Sequence, residues 1–263
     1  MEKFPLLLMF LGHMWVDASQ GVLPVVAAKL KVIFDLSYFQ IGIMVMLLNL
    51  SSSVIQPAFG MMADRIRSGW FVPVGILWTA LCMGFLGWAP NYASALLLVG
   101  LAGLGTAAFH PRAMMVVSMV SHEKRGLGAA VFTTGGNAGF ALGPMIASLF
   151  VLYIGIRGTI VLLIPGMVLF LIILFHPGDF LQRRPKALNR ERGGGDVARD
   201  VPWVSLMAVC GIIAIRSWAY MSFITYLPLF LQSRGMPLAT GRGQIQQHHH
   251  DSNLKVTQIE YDL

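Results

Sequence analysis

Charged side chains are scarce in this sequence, where Asp, Glu, Lys and Arg make up only 12% of 263 residues. An ordinary soluble domain carries roughly 25% of them. Hydrophobic residues account for 56% of the chain, and they occur in uninterrupted runs rather than at amphipathic spacing. The composition argues against a water-soluble enzyme, because too little polar surface is present to coat a globule of this size.

Cysteine is also rare, and the pair Cys82 and Cys210 lies inside apolar runs without C-x-x-C spacing. Neither a disulfide framework nor a cysteine metal site is therefore predicted. The net charge of +7 comes from cations in short connections between apolar runs, which indicates membrane topology rather than nucleic-acid binding. We expect no cofactor, no bound metal ion and no catalytic residue.

Seven apolar runs are long enough to cross the roughly 30 Å core of a lipid bilayer as helices. The sequence therefore predicts an all-α membrane protein whose spans cover residues 4–28, 38–62, 71–89, 93–120, 127–153, 159–176 and 203–231. We divide the chain into a six-helix bundle (1–176), a basic linker (177–202), a seventh membrane helix (203–232) and a polar, disordered tail (233–263). Lys and Arg concentrate in alternate connections, which predicts a cytoplasmic N-terminus and a cytoplasmic linker.

The first span contains two ionisable residues, His13 and Asp17, which are four positions apart and share one helix face. Ionisable groups are costly inside an apolar run, so they are candidates for function by default. We favour a role in picking up and releasing a proton. The alternative is a hydrogen bond between them that serves helix packing alone.

Arginine also occurs inside predicted spans. The fourth span contains His110, Pro111 and Arg112, and the proline is expected to kink the helix. We expect Arg112 to pair with Asp17, because an unpaired charge would cost far more. Arg216 in the seventh span is equally central, and two buried arginines facing one cavity would favour an anionic substrate. Structural pairing of each arginine is an equally good interpretation. We expect His13, Asp17, His110 and Arg112 to line a central cavity that serves as the substrate and proton pathway, with Arg216 beside it and Gln56 as a further polar contact.

Two further motifs lie at helix ends and along a helix face. Gly60, Asp64, Arg65 and Arg67 follow the second span, where fixed charges at a helix end can latch one conformation. The fifth span carries small residues that permit close packing and a bend, with the bend assigned to Gly139, Gly143 and Pro144.

These motifs carry a resemblance to a known family. Residues 60–67 resemble the signature between helices two and three of the major facilitator superfamily, and residues 139–144 resemble the fifth-helix motif of its antiporter branch. The chain is most similar to the fosmidomycin-resistance type of efflux transporter in Gly12-His13-x-x-x-Asp17, Leu36-Ser37-Tyr38-x-Gln40-Ile41-Gly42, Ser52-Ser53-x-x-Gln56-Pro57, Phe109-His110-Pro111 and Gly135-Gly136-Asn137-x-Gly139.

The resemblance implies a proton-coupled drug exporter of the bacterial inner membrane, whose two six-helix halves rock about a midplane site for a small-molecule substrate. Two departures stand out. The family generally has an acidic residue where this chain has Arg112, which puts proton coupling in doubt. The family also has twelve helices, whereas this chain has seven, so we expect a truncated form.

Other functional classes stay open. A half-size module would need a second copy or a separately encoded C-terminal half, and an inactive fragment would transport nothing. An intramembrane enzyme using His110 with Ser118 or Asp17 is disfavoured, because no G-x-S-x-G elbow is present. Outside the spans, the tail sequence His248-His249-His250 could bind a metal loosely, but an unstructured tail is the preferred interpretation.

Overall fold

The structure is a computed structural model that describes residues 1–65, 69–175, 179–181 and 203–234. Within these residues the chain forms nine α-helices and no strand, with bounds α1 Lys3–Gly21, α2 Leu23–Phe34, α3 Tyr38–Ser53, α4 Gln56–Arg65, α5 Phe71–Gly84, α6 Tyr92–Val120, α7 Arg125–Tyr153, α8 Leu163–Phe175 and α9 Trp203–Ser233. Most of the predicted linker (177–202) and of the predicted tail, including His248–His250, lies outside the described residues.

The helices combine into seven segments that are long and apolar enough to cross a membrane, at Lys3–Phe34, Tyr38–Ala63, Phe71–Trp88, Tyr92–Val120, His122–Tyr153, Ile156–Phe175 and Trp203–Leu231. The predicted all-α membrane fold is thus confirmed. The first segment ends six residues later than predicted, at Phe34 instead of residue 28. It continues through Pro24 because this proline lies in the first turn of α2, where a missing N–H costs nothing.

Local sequence explains where two of the spans begin. Ser37 precedes α3, and its hydroxyl accepts the N–H of Gln40 at 3.2 Å while the Gln40 side chain accepts the N–H of Ser37 at 2.8 Å. Asn91 and Ser94 form the same reciprocal pair before α6. These capping boxes satisfy backbone donors that a helix start would otherwise leave unpaired.

The prolines act differently along the chain. The second span is interrupted between α3 and α4, and Pro57 follows directly in the first turn of α4. Pro111 and Pro144 lie inside the continuous helices α6 and α7. Neither proline ends its helix. The kink expected at Pro111 and the bend assigned to Gly139, Gly143 and Pro144 stay predictions.

Helix α1 forms the centre of the bundle. It packs mainly against α7 and also contacts α5, α6 and α8. In the first span 78% of the most apolar window is buried, compared with 28% in the second and 0% in the seventh. Helix α9 lies at the edge of the described structure and contacts α2. The first span is consequently the most buried of the seven.

Glycine allows α1 and α7 to approach at backbone distance. A Cβ atom at Gly143 would lie 2.5 Å from the carbonyl oxygen of Ala18, and one at Gly139 would lie 2.9 Å from the Ala18 nitrogen and would also overlap the carbonyl oxygen of Met14. Any side chain here would separate the helices. The contact supports the packing interpretation of these two glycines.

We predict that Gly139→Ala lowers the free energy of unfolding by roughly 1–3 kcal/mol, because overpacking forces the two backbones apart. Gly126→Ala is the matched control, since it changes the same residue type in α7 where nothing lies within 4 Å of the added atom. The control should leave stability unchanged or raise it by up to about 1 kcal/mol through helix propensity. Thermal unfolding followed by circular dichroism in detergent measures both, and equal midpoints would contradict the packing role.

Candidate functional site

Three ionisable side chains meet in the interior of the bundle. His13 and Asp17 come from α1, and His110 comes from α6. The Nε2 atom of His13 lies 3.2 Å from Asp17 Oδ2, and the Nε2 atom of His110 lies 3.4 Å from Asp17 Oδ1. The two Nε2 atoms are 3.1 Å apart. We call these three residues the triad.

Backbone carbonyls fix the orientation of both imidazole rings. His13 Nδ1 lies 2.7 Å from the carbonyl oxygen of Phe132, and His110 Nδ1 lies 2.9 Å from that of Thr106. A carbonyl oxygen can only accept a hydrogen bond, so each Nδ1 must carry the proton and donate. In a neutral ring the other nitrogen, Nε2, is then an acceptor.

The triad therefore presents three acceptors to one another. With both rings neutral and Asp17 ionised, each Nε2 lone pair faces the other and the carboxylate. One proton shared among the three groups would turn one acceptor into a donor and remove this repulsion. The geometry thus brings three acceptor groups together at a point where a proton or another cation would be favoured.

The surroundings of the triad are largely apolar. The side chains of His13, Asp17 and His110 are 10%, 9% and 19% exposed. The ring of Phe132 stacks on His13 with centroids 4.0 Å apart, and the rings of the two histidines meet edge to face at 4.8 Å. Gln20 donates from Nε2 to Asp17 Oδ1 at 3.4 Å. Low polarity here strengthens the need for a bound cation.

Gly136 on α7 lies directly against the triad, and sequence reasoning did not assign it a site role. A Cβ atom at this position would be 2.5 Å from His13 Nε2 and 2.6 Å from Asp17 Oδ2. The signal was present, because Gly136 is three and seven residues before Gly139 and Gly143 and so shares their helix face. The backbone carbonyl groups of Phe132 and Thr106, which orient the two imidazole rings, could not be identified from the sequence, because every residue has a backbone carbonyl group.

The expected ion pair between Arg112 and Asp17 is wrong. Asp17 contacts His13, His110 and Gln20, whereas Arg112 donates from Nη1 to Met115 Sδ at 2.9 Å and from Nη2 to the carbonyl oxygen of Leu181. Arg112 is buried, at 3% exposure. It follows His110 by two residues, which places it about 200° around the helix and away from the triad.

Arg216, unlike Arg112, does not lie in the interior. Its side chain is exposed on α9, so the predicted pair of buried arginines facing one cavity is wrong. The reason is the position of α9 at the edge of the described bundle, where only the part near Thr225 and Leu229 is buried. Without a second buried arginine, the sequence argument for an anionic substrate no longer holds.

A cavity of about 370 Å³ separates α3 from α9. Its polar lining comes from Asn49, Ser217, Ser222, Thr225 and Tyr226. None of the predicted pathway residues lines it, so the triad and this cavity are separate features.

The remaining predicted residues are placed only in part. Gln56 is half-buried at the first position of α4, and Gly60 lies on the same helix, which packs against α6. Asp64 and Arg65 end α4, but their side chains are outside the described part of the structure, as is the whole of Arg67. The gating role of this cluster stays a prediction.

Comparison with known proteins agrees with the sequence and fold. The family model described as Major Facilitator Superfamily matches residues 9–244. The chain is 36% identical over 160 residues to the uncharacterized MFS-type transporter YfnC of Bacillus subtilis (strain 168), which covers 60% of this chain and 39% of that protein. It is 25% identical over 228 residues to the fosmidomycin resistance protein of Escherichia coli (strain K12), which covers 85% and 56%.

The fold is similar to a solved transporter structure. A bacterial homolog of the human lysosomal transporter Spinster, in an inward-facing and unoccupied conformation, superposes with a TM-score of 0.70 at 18% identity, covering 90% of this chain and 57% of that one. The chain thus spans about 39–57% of the length of these relatives. The family match, the seven apolar helices and this fold together show that the chain is a multi-pass membrane protein of the major facilitator superfamily, a family of transporters and not of enzymes.

Proposed function

We propose that this chain provides the N-terminal half and first following helix of a proton-coupled exporter of small-molecule drugs in the bacterial inner membrane. One observation carries the proposal: three groups that can share a proton converge inside membrane-spanning helices. Drug export is suggested by the name of the fosmidomycin resistance protein, to which the chain is similar.

The triad suits proton coupling because its free energy depends strongly on occupancy. Acceptors enclosed by apolar rings repel one another when empty and attract when they share a proton. His110 is the most exposed of the three side chains, at 19%, so a proton would reach the centre past this ring. In the superfamily, rocking of two halves about a midplane site would connect such a centre to each side of the membrane in turn.

A half-size module is the second candidate. Most of the described side chains of α9 are exposed, and within the described residues the cavity against α3 is lined by these two helices alone. A second copy of the chain or a separately encoded C-terminal half would enclose this region. In this case transport requires the partner, while the triad keeps its role.

We predict that Asp17→Asn reduces energised drug export by roughly tenfold or more, since the neutral amide cannot hold the shared proton in the same way; tenfold corresponds to about 1.4 kcal/mol of transition-state energy. Cellular drug accumulation would be measured in bacteria that express the 263-residue chain, either alone or with the C-terminal half of the E. coli fosmidomycin resistance protein, with and without a protonophore.

Asp35→Asn is the matched control for this measurement. Asp35 is exposed beyond the first span and adopts a left-handed backbone conformation that asparagine tolerates well. It should export like the unaltered chain. Export only with the added half would support the half-size module. Full export by the Asp17→Asn variant, or no export in either strain, would contradict the proposed function.

We also propose that the N-terminus is cytoplasmic, as the distribution of Lys and Arg indicates. Single cysteines replacing Glu123 and Pro90, in a chain whose Cys82 and Cys210 are changed to Ala, lie at exposed positions on opposite ends of α6. An impermeant thiol reagent added to intact cells should label the cysteine at position 90 and spare the one at 123. The reverse pattern would invert the topology.

A further inference from the structure

We infer that the triad of His13, Asp17 and His110 is a binding site for a divalent transition-metal ion, with Zn²⁺ as the representative of the class. The sequence alone indicated no metal site, because His13 and Asp17 lack further ligands nearby in the chain. The fold supplies His110 from α6 as the third ligand.

The spacing of the ligand atoms fits a tetrahedral ion. Zinc binds imidazole nitrogen at about 2.0–2.1 Å and carboxylate oxygen at about 2.0–2.2 Å, which keeps neighbouring ligands in a tetrahedron about 3.3–3.4 Å apart. The two Nε2 atoms are 3.1 Å apart, and each faces a different carboxylate oxygen of Asp17, at 3.2 Å for His13 and 3.4 Å for His110. With one ligand atom from each residue, all three atoms lie within 4.8 Å of one another. A rotation of the Asp17 carboxylate that turns one oxygen toward both nitrogens would admit the ion.

The outer contacts of the two histidines are those of metal ligands. A metal-binding imidazole almost always donates its second ring N–H to a carboxylate, a backbone carbonyl or water, which fixes the tautomer and the ring orientation. Both histidines meet this condition through the carbonyl groups of Phe132 and Thr106, so both Nε2 lone pairs point to the centre. Gln20 holds the carboxylate of Asp17 in the same way.

The chemistry of the ligands selects the class of ion. Imidazole suits Zn, Cu, Fe and Ni, whereas sites made of oxygen alone suit Mg and Ca. Neither cysteine contributes, because the ligand atoms come only from His13, Asp17 and His110. Three protein ligands leave a fourth tetrahedral position for water, as in exchangeable zinc sites. The absence of a side chain at Gly136 lets α7 approach His13 Nε2 and Asp17 Oδ2 without overlap.

Metal binding stands independently of drug export, because it follows from the positions of the ligand atoms. One consequence does rest on the proposed function: a bound ion takes the place of the shared proton, so Zn²⁺ should inhibit proton-coupled transport. Binding and transport are therefore measured separately.

The test is titration of the purified full chain with Co²⁺, whose visible absorption reports its coordination, followed by displacement with Zn²⁺. His248, His249 and His250 are changed to Ala in every protein, and a tag without histidine is used, so that the tail and the tag cannot supply ligands. We expect one Co²⁺ per chain and a four-coordinate spectrum that Zn²⁺ removes.

Three variants test the assignment. His110→Ala and Asp17→Asn each remove a ligand, and Gly136→Ala places a methyl group against two ligand atoms. Each should weaken Co²⁺ binding by roughly a hundredfold or more. Mutating a residue that only orients a metal ligand already lowers metal affinity by about 10–100-fold, and loss of the ligand itself should cost at least as much. His122→Ala is the matched control, because His122 is exposed and lies outside the triad. It should bind like the parent chain.

His110→Cys guards against the objection that the variants fail only because they misfold. In a chain with Cys82 and Cys210 changed to Ala, the new thiolate should restore binding and add a sulfur-to-cobalt charge-transfer band. Absence of cobalt binding in the parent chain, or unchanged binding in the His110→Ala and Asp17→Asn variants, overturns the metal site. Metal binding without any drug export contradicts only the proposed function.

Discussion

At the buried triad of His13, Asp17 and His110, hydrogen-bond acceptors outnumber donors, and the proposed roles of the triad follow from this imbalance. Both histidines of the triad give their Nδ1 protons to backbone carbonyls, which leaves two Nε2 lone pairs beside the carboxylate of Asp17. In water such a cluster would be solvated at little cost. Between membrane helices, a shared proton or another cation would compensate for the lost water. The proposed proton and the proposed metal ion would meet the same electrostatic requirement.

The cluster depends on how closely α1 and α7 pack. Gly139 and Gly143 allow the two backbones to touch. Gly136 likewise allows the backbone of α7 to lie against the side chains of His13 and Asp17. If α7 stood further away, the carbonyl group of Phe132 would no longer reach His13, and the ring would be free to change its tautomer. The glycine face of α7 thus serves packing and ligand orientation through one geometric constraint.

The sequence predicted the spans, and it named His13, Asp17 and His110, together with Arg112, as residues that line one cavity. Run length defines the helices, and four-residue spacing puts His13 and Asp17 on one face. The partner of Asp17 is a long-range property: His110 and Arg112 are both in the fourth span, and charge alone favoured arginine. The rotation of the fourth helix directs His110, and not Arg112, toward Asp17. Arg216 was misplaced because a central position within a span does not determine which neighbours surround it.

Arg112 raises a question about proton coupling, because the transporters that this chain resembles generally have an acidic residue at the corresponding position. The rotation of about 200° between positions 110 and 112 answers it. The guanidinium group is directed to the carbonyl oxygen of Leu181 and makes no contact with Asp17. An acidic residue at this position would likewise face away from Asp17. The groups in direct contact at the triad are therefore His13, Asp17 and His110, and Arg112 is not among them.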